Sequence, residues 1–235
     1  EFKRVESLKS QFVSMVAHEL KAPIAATLGF INILTNKEMK ISPEQQLDFL
    51  NRSSLRLNGL LNMVNDLLDI SRMEMRTNVR ELKQLDLRDI LKDVINMFQF
   101  EIEKKKLNVI TEISETLPLF NGDSTELQRM MTNLVSNAIK YNKESGNIFV
   151  NLDYSNNYIT IAVKDSGIGL KPNEKEKLFS EFFRAKNEFT KNIHGTGLGL
   201  SLVKKLVDSY SGKIEVESEY GNGTMFKIFL PIKVK

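Results

Sequence analysis

The sequence predicts a helical hairpin forming a dimeric four-helix bundle over residues 1–78, followed by an α+β two-layer sandwich over residues 79–235. Two observations carry this reading. Between residues 43 and 76 the apolar positions alternate three and four apart, which is a heptad seam. From about residue 78 that period gives way to strands and helices that mix without strict βαβ alternation, which favours a sandwich over a doubly wound sheet.

Residues 3 to 36 read as the first helix, with Pro23 as a kink inside it. A short polar link, Asn36 to Ile41, turns the chain back. Ser42 then serves as N-cap, Pro43 as first helical residue and Gln45 as the partner that completes a capping box. The second helix carries its seam on Leu47, Leu50, Ser54, Leu57, Leu61, Val64, Leu68, Ser71 and Met75. One hairpin cannot bury such a seam by itself, so a homodimer is expected, with packing on the second domain as the alternative. Further on, Asp86 to Lys105 reads as one amphipathic helix with Ile90, Leu91, Val94, Ile95 and Phe98 inward. Leu107 to Ile113 alternates as a strand, and residues 123 to 140 form another helix. Strands follow at Asn147 to Asp153 and Tyr158 to Lys164 across an Asn-rich turn. Leu198 to Ser209 is helical, and Lys213 to Glu219 with Thr224 to Leu230 make a closing hairpin.

Composition narrows the function. The chain is 41% hydrophobic and 27% charged, ordinary values for a soluble protein. A net charge of +3 is too small to argue for nucleic acid or an anionic membrane. The lysines between Glu103 and Leu107 are expected to cap a helix C-terminus. Without cysteine, disulfides and thiolate metal sites are excluded, which is compatible with a cytoplasmic location. No apolar run approaches the roughly 20 residues that span a bilayer. The abrupt helical start suggests a piece of something longer, so any membrane anchor is expected in segments outside this chain.

Four short elements carry chemistry. His18 falls nearly opposite the face of Val13, Val16 and Leu20, so its imidazole is expected to be exposed. A neutral imidazole has a lone pair for nucleophilic attack, and Glu19 can hold the proton of the other ring nitrogen. His-Glu-x-x-His zinc chemistry is excluded, because position 22 is Ala22. Asn133 and Asn137 lie four apart on one helical face with Lys140 about a turn further. An amide oxygen suits Mg²⁺, and Lys140 can neutralise phosphate. Asp165, before Gly167 and Gly169, is placed to accept a hydrogen bond from an exocyclic amine. Last, Gly195-Thr196-Gly197-Leu198-Gly199 opens into a helix, where glycines let the backbone approach an anion. Neither the P-loop nor the dinucleotide fingerprint fits, since Leu200 stands at the final glycine position.

In this order the elements resemble the sensor histidine kinases of two-component signalling. Residues 85 to 232 resemble the ATP-binding domain shared by those kinases, DNA gyrase, Hsp90 chaperones and MutL proteins. The resemblance implies a dimerisation and histidine-phosphotransfer hairpin followed by a catalytic ATP-binding domain. It makes His18 the phosphorylated residue, with Glu19 assisting. It gives Asn137 to Mg²⁺, Asn133 to its support, Lys140 to phosphate, Tyr141 to the flank of the nucleotide and Asp165 to the adenine amine. Gly167 and Gly169 then shape the base pocket, while Gly195, Gly197 and Gly199, with Thr196 and Leu198 among them, line the phosphates. Leu178 to Arg184 resembles the kinases' phenylalanine-rich box, with Arg184 in reach of the γ-phosphate. Ala185 to His194 is expected to be a lid, in which Lys186 and Lys191 are further phosphate candidates. The cofactors implied are ATP and Mg²⁺, and the partner is the receiver domain of a response regulator.

Ala22 stands where the family commonly has Thr or Asn, which implies weak phosphatase activity. Glu126 and Tyr210 also depart from the family's usual residues and are expected to tune function. Two other readings stay open on the sequence: an ATP-driven clamp and a non-catalytic dimerisation scaffold. The His-Glu hairpin argues against the first, and the full nucleotide set against the second.

Overall fold

A computed structural model describes residues 2–36, 38–74, 80–185, 190, 193 and 195–232, with side chains throughout except at 2–12 and 72–74. The chain forms two compact units, residues 1–69 and 70–235.

The first unit is a hairpin of two long helices, α1 (Phe2–Thr35) and α2 (Pro43–Glu74). The capping box forms as the residues dictate: Ser42 Oγ accepts from the Gln45 amide at 3.2 Å, and the Ser42 amide donates to Gln45 Oε1 at 3.1 Å. Inside the hairpin, Phe30 stacks on Phe49 with ring centroids 5.3 Å apart, and the Arg56 guanidinium lies 4.8 Å from the Phe30 centroid. The contact stripe of α2 therefore runs through Phe49 and Arg56 rather than through the leucine seam. Leu47, Leu50, Leu57, Leu61 and Leu68 stay exposed, between 47% and 60%. Met75, the last seam position, lies outside the described residues.

The second unit is built on a five-stranded sheet of order β2-β4-β5-β7-β6. Its strands are β2 (Asn108–Ile113), β4 (Asn147–Ser155), β5 (Tyr158–Asp165), β6 (Lys213–Glu219) and β7 (Gly223–Pro231). Only the β2–β4 pair is parallel, and α5 (Ser124–Lys140) lies in the crossover between them. Asn156 and Asn157, at φ 51° and 65°, make the tight β4–β5 turn, the conformation that asparagine tolerates best after glycine. Alternate residues of the sheet face a core: Val150 pairs with Val163, Leu152 with Ile161, and Ile161 with Ile228. The helices α3 (Leu87–Met97), α5 and α7 (Gly199–Ser209) supply the other layer through Leu91, Val94, Leu127, Met130, Leu134, Leu202 and Leu206, all at most 2% exposed. At about 1.5–3 kcal/mol for each fully buried side chain, this layer contact is the main stabilising term.

The predicted sandwich is thus observed, with local differences. Asp86 to Lys105 is two helices, because α3 ends at Phe98 and α4 (Gln99–Lys104) restarts after it. The Phe98 amide bonds back three residues to Ile95 at 3.1 Å, which tightens the turn and re-aims the chain. Two short strands, β1 (Lys83–Leu85) and β3 (Phe120–Gly122), pair antiparallel, and α6 (Pro172–Lys175) is a single turn. The lysine-rich stretch closes its own helix, with Lys104 in the last turn of α4 and Lys105 as its C-cap, and it closes a second helix as well. Lys105 Nζ donates to the carbonyls of Ile139 at 2.8 Å, Lys140 at 3.0 Å and Asn142 at 3.4 Å, closing the end of α5.

Candidate functional site

His18 stands on α1 with its side chain 81% exposed, and its Nδ1 is 3.5 Å from Glu19 Oε1. A carboxylate beside Nδ1 favours the tautomer with the proton there, which places the lone pair on Nε2. Pro23 lies four residues beyond Glu19 and has no N–H for the Glu19 carbonyl, so the helix ladder is interrupted one turn after the histidine. Thr27 Oγ1 donates to the Pro23 carbonyl at 2.8 Å and supports the backbone there. Ala22 is exposed one turn from His18 and offers only a methyl group.

The nucleotide-type residues converge on the second unit. Asp123 caps α5, accepting from the amides of Thr125 at 2.9 Å and Glu126 at 3.3 Å. The buried face of α5, Leu127 to Ile139, leaves Asn133 and Asn137 half-buried and Lys140 exposed. Asn133 Nδ2 donates to the Arg129 carbonyl at 2.9 Å, which fixes the amide. Its Oδ1 faces Gly199: a Cβ on that glycine would sit 2.2 Å away. The Asn137 amide takes no hydrogen bond from the described residues, which leaves its oxygen for a ligand. Tyr141 ends the helix half-buried, and burial pushes its phenol above the ordinary value, opposed by the charge of nearby Arg184. Arg184 itself donates through Nη2 to the Ile193 carbonyl.

Asp165 ends β5, 5% exposed, and its Oδ1 accepts from the amides of Gly167 at 2.8 Å and Thr224 at 3.3 Å. Burial raises its carboxyl from 3.8 to about 6, against the opposing pull of those two amides. The loop presses so closely on its neighbours that side chains are excluded. A Cβ on Gly167 would lie 2.1 Å from the Tyr141 carbonyl oxygen, and one on Gly169 (φ 61°) 1.9 Å from that of Glu219. The three glycines at the start of α7, Gly195 and Gly197 in the loop and Gly199 as its first residue, differ in kind. Gly197 (φ 73°) packs on the Phe182 backbone and Gly199 on Asn133, whereas Gly195 has nothing within 4 Å of a notional Cβ. Leu198 is fully buried and provides no side-chain cap, while Thr196 Oγ1 accepts from the Leu198 amide at 3.1 Å. The first turn of α7 therefore lacks a side-chain cap and can receive an anion. Lys186, Lys191 and His194 lie outside the described residues.

Two family models match this architecture. Residues 8–76 match the His Kinase A (phospho-acceptor) domain, and residues 122–234 the histidine kinase-, DNA gyrase B- and HSP90-like ATPase. Among solved structures, the nucleotide-free catalytic domain of histidine kinase ThkA is 30% identical, with a TM-score of 0.57, over 64% of this chain and 97% of that one. The chain belongs to the histidine kinase family.

ThkA in complex with its response regulator TrrA resembles this kinase over 97% of the chain and 63% of the other, with a TM-score of 0.78 at 27% identity. Sensor histidine kinase RcsC of Escherichia coli (strain K12) is 32% identical over 225 residues, 95% of this chain and 23% of RcsC. The chain thus spans about a quarter of the length of such curated relatives. No described helix of the kinase is long and apolar enough to cross a membrane.

Sequence reasoning missed the residues that hold the Asp165 loop from behind. Gly223 (φ 100°) would place a Cβ 2.0 Å from the Asp165 carbonyl oxygen, and the next residue, Thr224, donates to the carboxylate. The signal was there in Gly221-Asn222-Gly223, a turn between two strands. Asn142 was also missed: buried at 7%, it donates to the Asn147 carbonyl at 3.0 Å and accepts from Ser166 Oγ at 3.3 Å. It ties the end of α5 to the loop after Asp165.

Proposed function

We propose that the chain is the core of an ATP-dependent protein-histidine kinase that phosphorylates His18 and passes the phosphoryl group to an aspartate on a response regulator. The observation that carries this reading is the exposed His18 with Nδ1 turned to Glu19, in a chain that also carries the Asn137, Asp165 and Gly195–Gly199 constellation. Asp165 would accept from the adenine amine, with Gly167 and Gly169 keeping the base pocket open and Tyr141 beside it. Lys140 and the uncapped first turn of α7, with Gly195, Thr196, Gly197, Leu198 and Gly199, would meet the phosphates. The Asn137 amide oxygen would be the protein's hard donor for Mg²⁺, with Asn133 beside it, and the ion would supply positive charge to neutralise the phosphates.

In the reaction, Nε2 of neutral His18 attacks the γ-phosphorus in line, the bond to the β,γ-bridging oxygen breaks and ADP departs. The new phosphoimidazolium keeps its proton on Nδ1, where the Glu19 carboxylate stabilises the charge. Arg184 is assigned to the developing charge on the γ-phosphate. The phosphoramidate is then a competent donor to a carboxylate, as expected of a relative of the ThkA that was solved with TrrA.

The exposed leucine seam of α2 supports a homodimer through the hairpin, and we place the boundary between the hairpin and catalytic domains at 78/79. The whole protein is assigned to the cytoplasm, or to the cytoplasmic part of a membrane-anchored sensor. The test is incorporation of γ-labelled ATP with Mg²⁺ into wild type, His18→Gln and Asn137→Ala. The expected result is acid-labile, base-stable label in wild type and in neither variant. Label surviving in His18→Gln would remove His18 as acceptor, and tight ATP binding with no label would favour an ATP clamp or a scaffold.

A further inference from the structure

The chain between α5 and β4 closes on the loop after Asp165 through a ring of hydrogen bonds. Asn142 donates from Nδ2 to the Asn147 carbonyl at 3.0 Å, and its Oδ1 accepts from the Lys143 amide at 3.1 Å and from Ser166 Oγ at 3.3 Å. Ser166 Oγ in turn accepts from the Asn147 amide at 2.9 Å, and the Ser166 amide donates to the Asn147 carbonyl at 3.1 Å. The packing is tight: a Cβ on Gly146 would sit 2.3 Å from Asn142 Oδ1 and 2.9 Å from Ser166 Oγ. A further bond runs alongside. The Ile168 amide donates to the Tyr141 carbonyl at 3.1 Å, the same carbonyl with which a Cβ on Gly167 would collide.

A buried carboxamide costs free energy unless its bonds are made, and once made they fix one arrangement of the network's members. What this ring fixes is the spacing between two elements of the candidate site. On one side, Asn142 follows Tyr141, whose amide bonds back to the Asn137 carbonyl at 3.0 Å, so the ring continues the turn that carries Asn137, Lys140 and Tyr141. On the other side, Ser166 stands between Asp165 and Gly167. The bonds of the Asp165 carboxylate, from Gly167 and Thr224, hold it within its own loop and onto β7, not onto α5.

We propose that Asn142, acting through Ser166, is a positioning residue that holds the base end and the phosphate end of the nucleotide site in register, without touching the nucleotide. The inference rests on the nucleotide part of the reading above. A ligand that spans both elements makes its second contact intramolecularly, at an effective concentration set by how well the protein holds the two in place. Loss of the ring leaves each element intact but lets one drift against the other. The cost then falls on ATP, which spans both, and not on a fragment that reaches only one.

The test measures affinities for ATP, adenosine and tripolyphosphate in the presence of Mg²⁺, by displacement of a fluorescent ATP analogue. It uses the full chain as wild type, Asn142→Ala, Ser166→Ala and Ser166→Thr. Asn142→Ala and Ser166→Ala should each weaken ATP about three- to tenfold, the weight of neutral hydrogen bonds, while adenosine and tripolyphosphate stay within about twofold of wild type. Ser166→Thr keeps the hydroxyl and should hold ATP within about twofold of wild type. Ser166 is half-buried, so its alanine variant tests the ring even where Asn142→Ala fails to fold. A parallel fall for all three ligands would reduce the ring to a structural role and overturn the proposal. ATP affinity unmoved by either alanine, or a loss confined to adenosine, would overturn it as well. So would a wild type that binds ATP no tighter than adenosine, since the two ends would then not be coupled. None of these affinities needs activity. The expected pattern in a chain whose His18 never takes up label would therefore defeat the kinase reading and uphold the register role.

Discussion

Replacing Asp165 by Asn should stabilise the nucleotide-free protein while removing its affinity for ATP. The carboxyl is 5% exposed and its pKa is raised by burial from 3.8 to about 6. At about 1.36 kcal/mol per unit, ionising it in the folded protein at pH 7 costs up to about 3 kcal/mol more than in the unfolded chain. Asn keeps an oxygen for the amides of Gly167 and Thr224 but carries no charge. Because the folded pKa is the higher one, the folded protein binds more protons between about pH 4 and pH 6. Wild-type stability therefore falls as pH rises through that window, and the contribution is gone above it. Urea unfolding followed by circular dichroism should show wild type and Asp165→Asn alike near pH 4 and separated by up to about 3 kcal/mol at pH 7, with the variant the more stable. Calorimetry at pH 7 should show ATP affinity down by at least about tenfold, since an amide N–H would face the donor it must accept from. A variant less stable than wild type at pH 7, or a gap that ignores pH, would refute the argument that buried charge is the cost carried by this site.

Further outcomes follow from the same geometry. ATP affinity of the wild type should weaken as pH drops below about 6, with proton release on binding near that pH, because the amine selects the ionised carboxylate; titration calorimetry in buffers of different ionisation enthalpy reads both. Gly199→Ala should leave the melting temperature within a few degrees, since only the Asn133 side chain must swing away, yet weaken nucleotide binding several-fold; Gly195→Ala, with open space at its Cβ, should change neither quantity. Gly223→Ala forces a Cβ to 2.0 Å from the Asp165 carbonyl at φ 100°, and should lower stability by about 2 kcal/mol or more, measured by thermal unfolding. Ala22→Thr, which restores a hydroxyl one turn from His18, should accelerate dephosphorylation of the phosphorylated regulator, followed by loss of label over time.

The sequence made the hairpin legible because its signals are local and redundant: the capping box at Ser42 and a heptad seam fix both period and start. The helix α5, the β4–β5 hairpin and the closing hairpin were legible for the same reason. Phe98 was not, because the break comes from one backbone bond taken three residues back instead of four, and the apolar stripe runs through it unaltered. The strands β1 and β3 have only three residues each, too few to show a period. For the candidate site, types and spacing singled out Asn137, Asp165 and the glycines. What could not be read was the division of labour among those glycines, since close packing at Gly199 and open space at Gly195 depend on residues far away in the chain. Thr224 was hidden likewise: it serves Asp165 through its backbone amide, and any residue type there except proline would have the same donor.

Lys105 and Asp123 grip opposite ends of α5, one on the last carbonyls and the other on the first amides. Helices ordinarily unravel from their termini, and Asn137, Lys140 and Tyr141 sit in the final turn, where unravelling would begin. Tethering that turn to a lysine on another helix means that its conformational entropy is surrendered when the protein folds, before any ligand arrives. On the proposed reading, a nucleotide would meet Asn137 and Lys140 on a turn whose backbone is already ordered, and its own binding energy would remain for whatever the rest of the molecule must do.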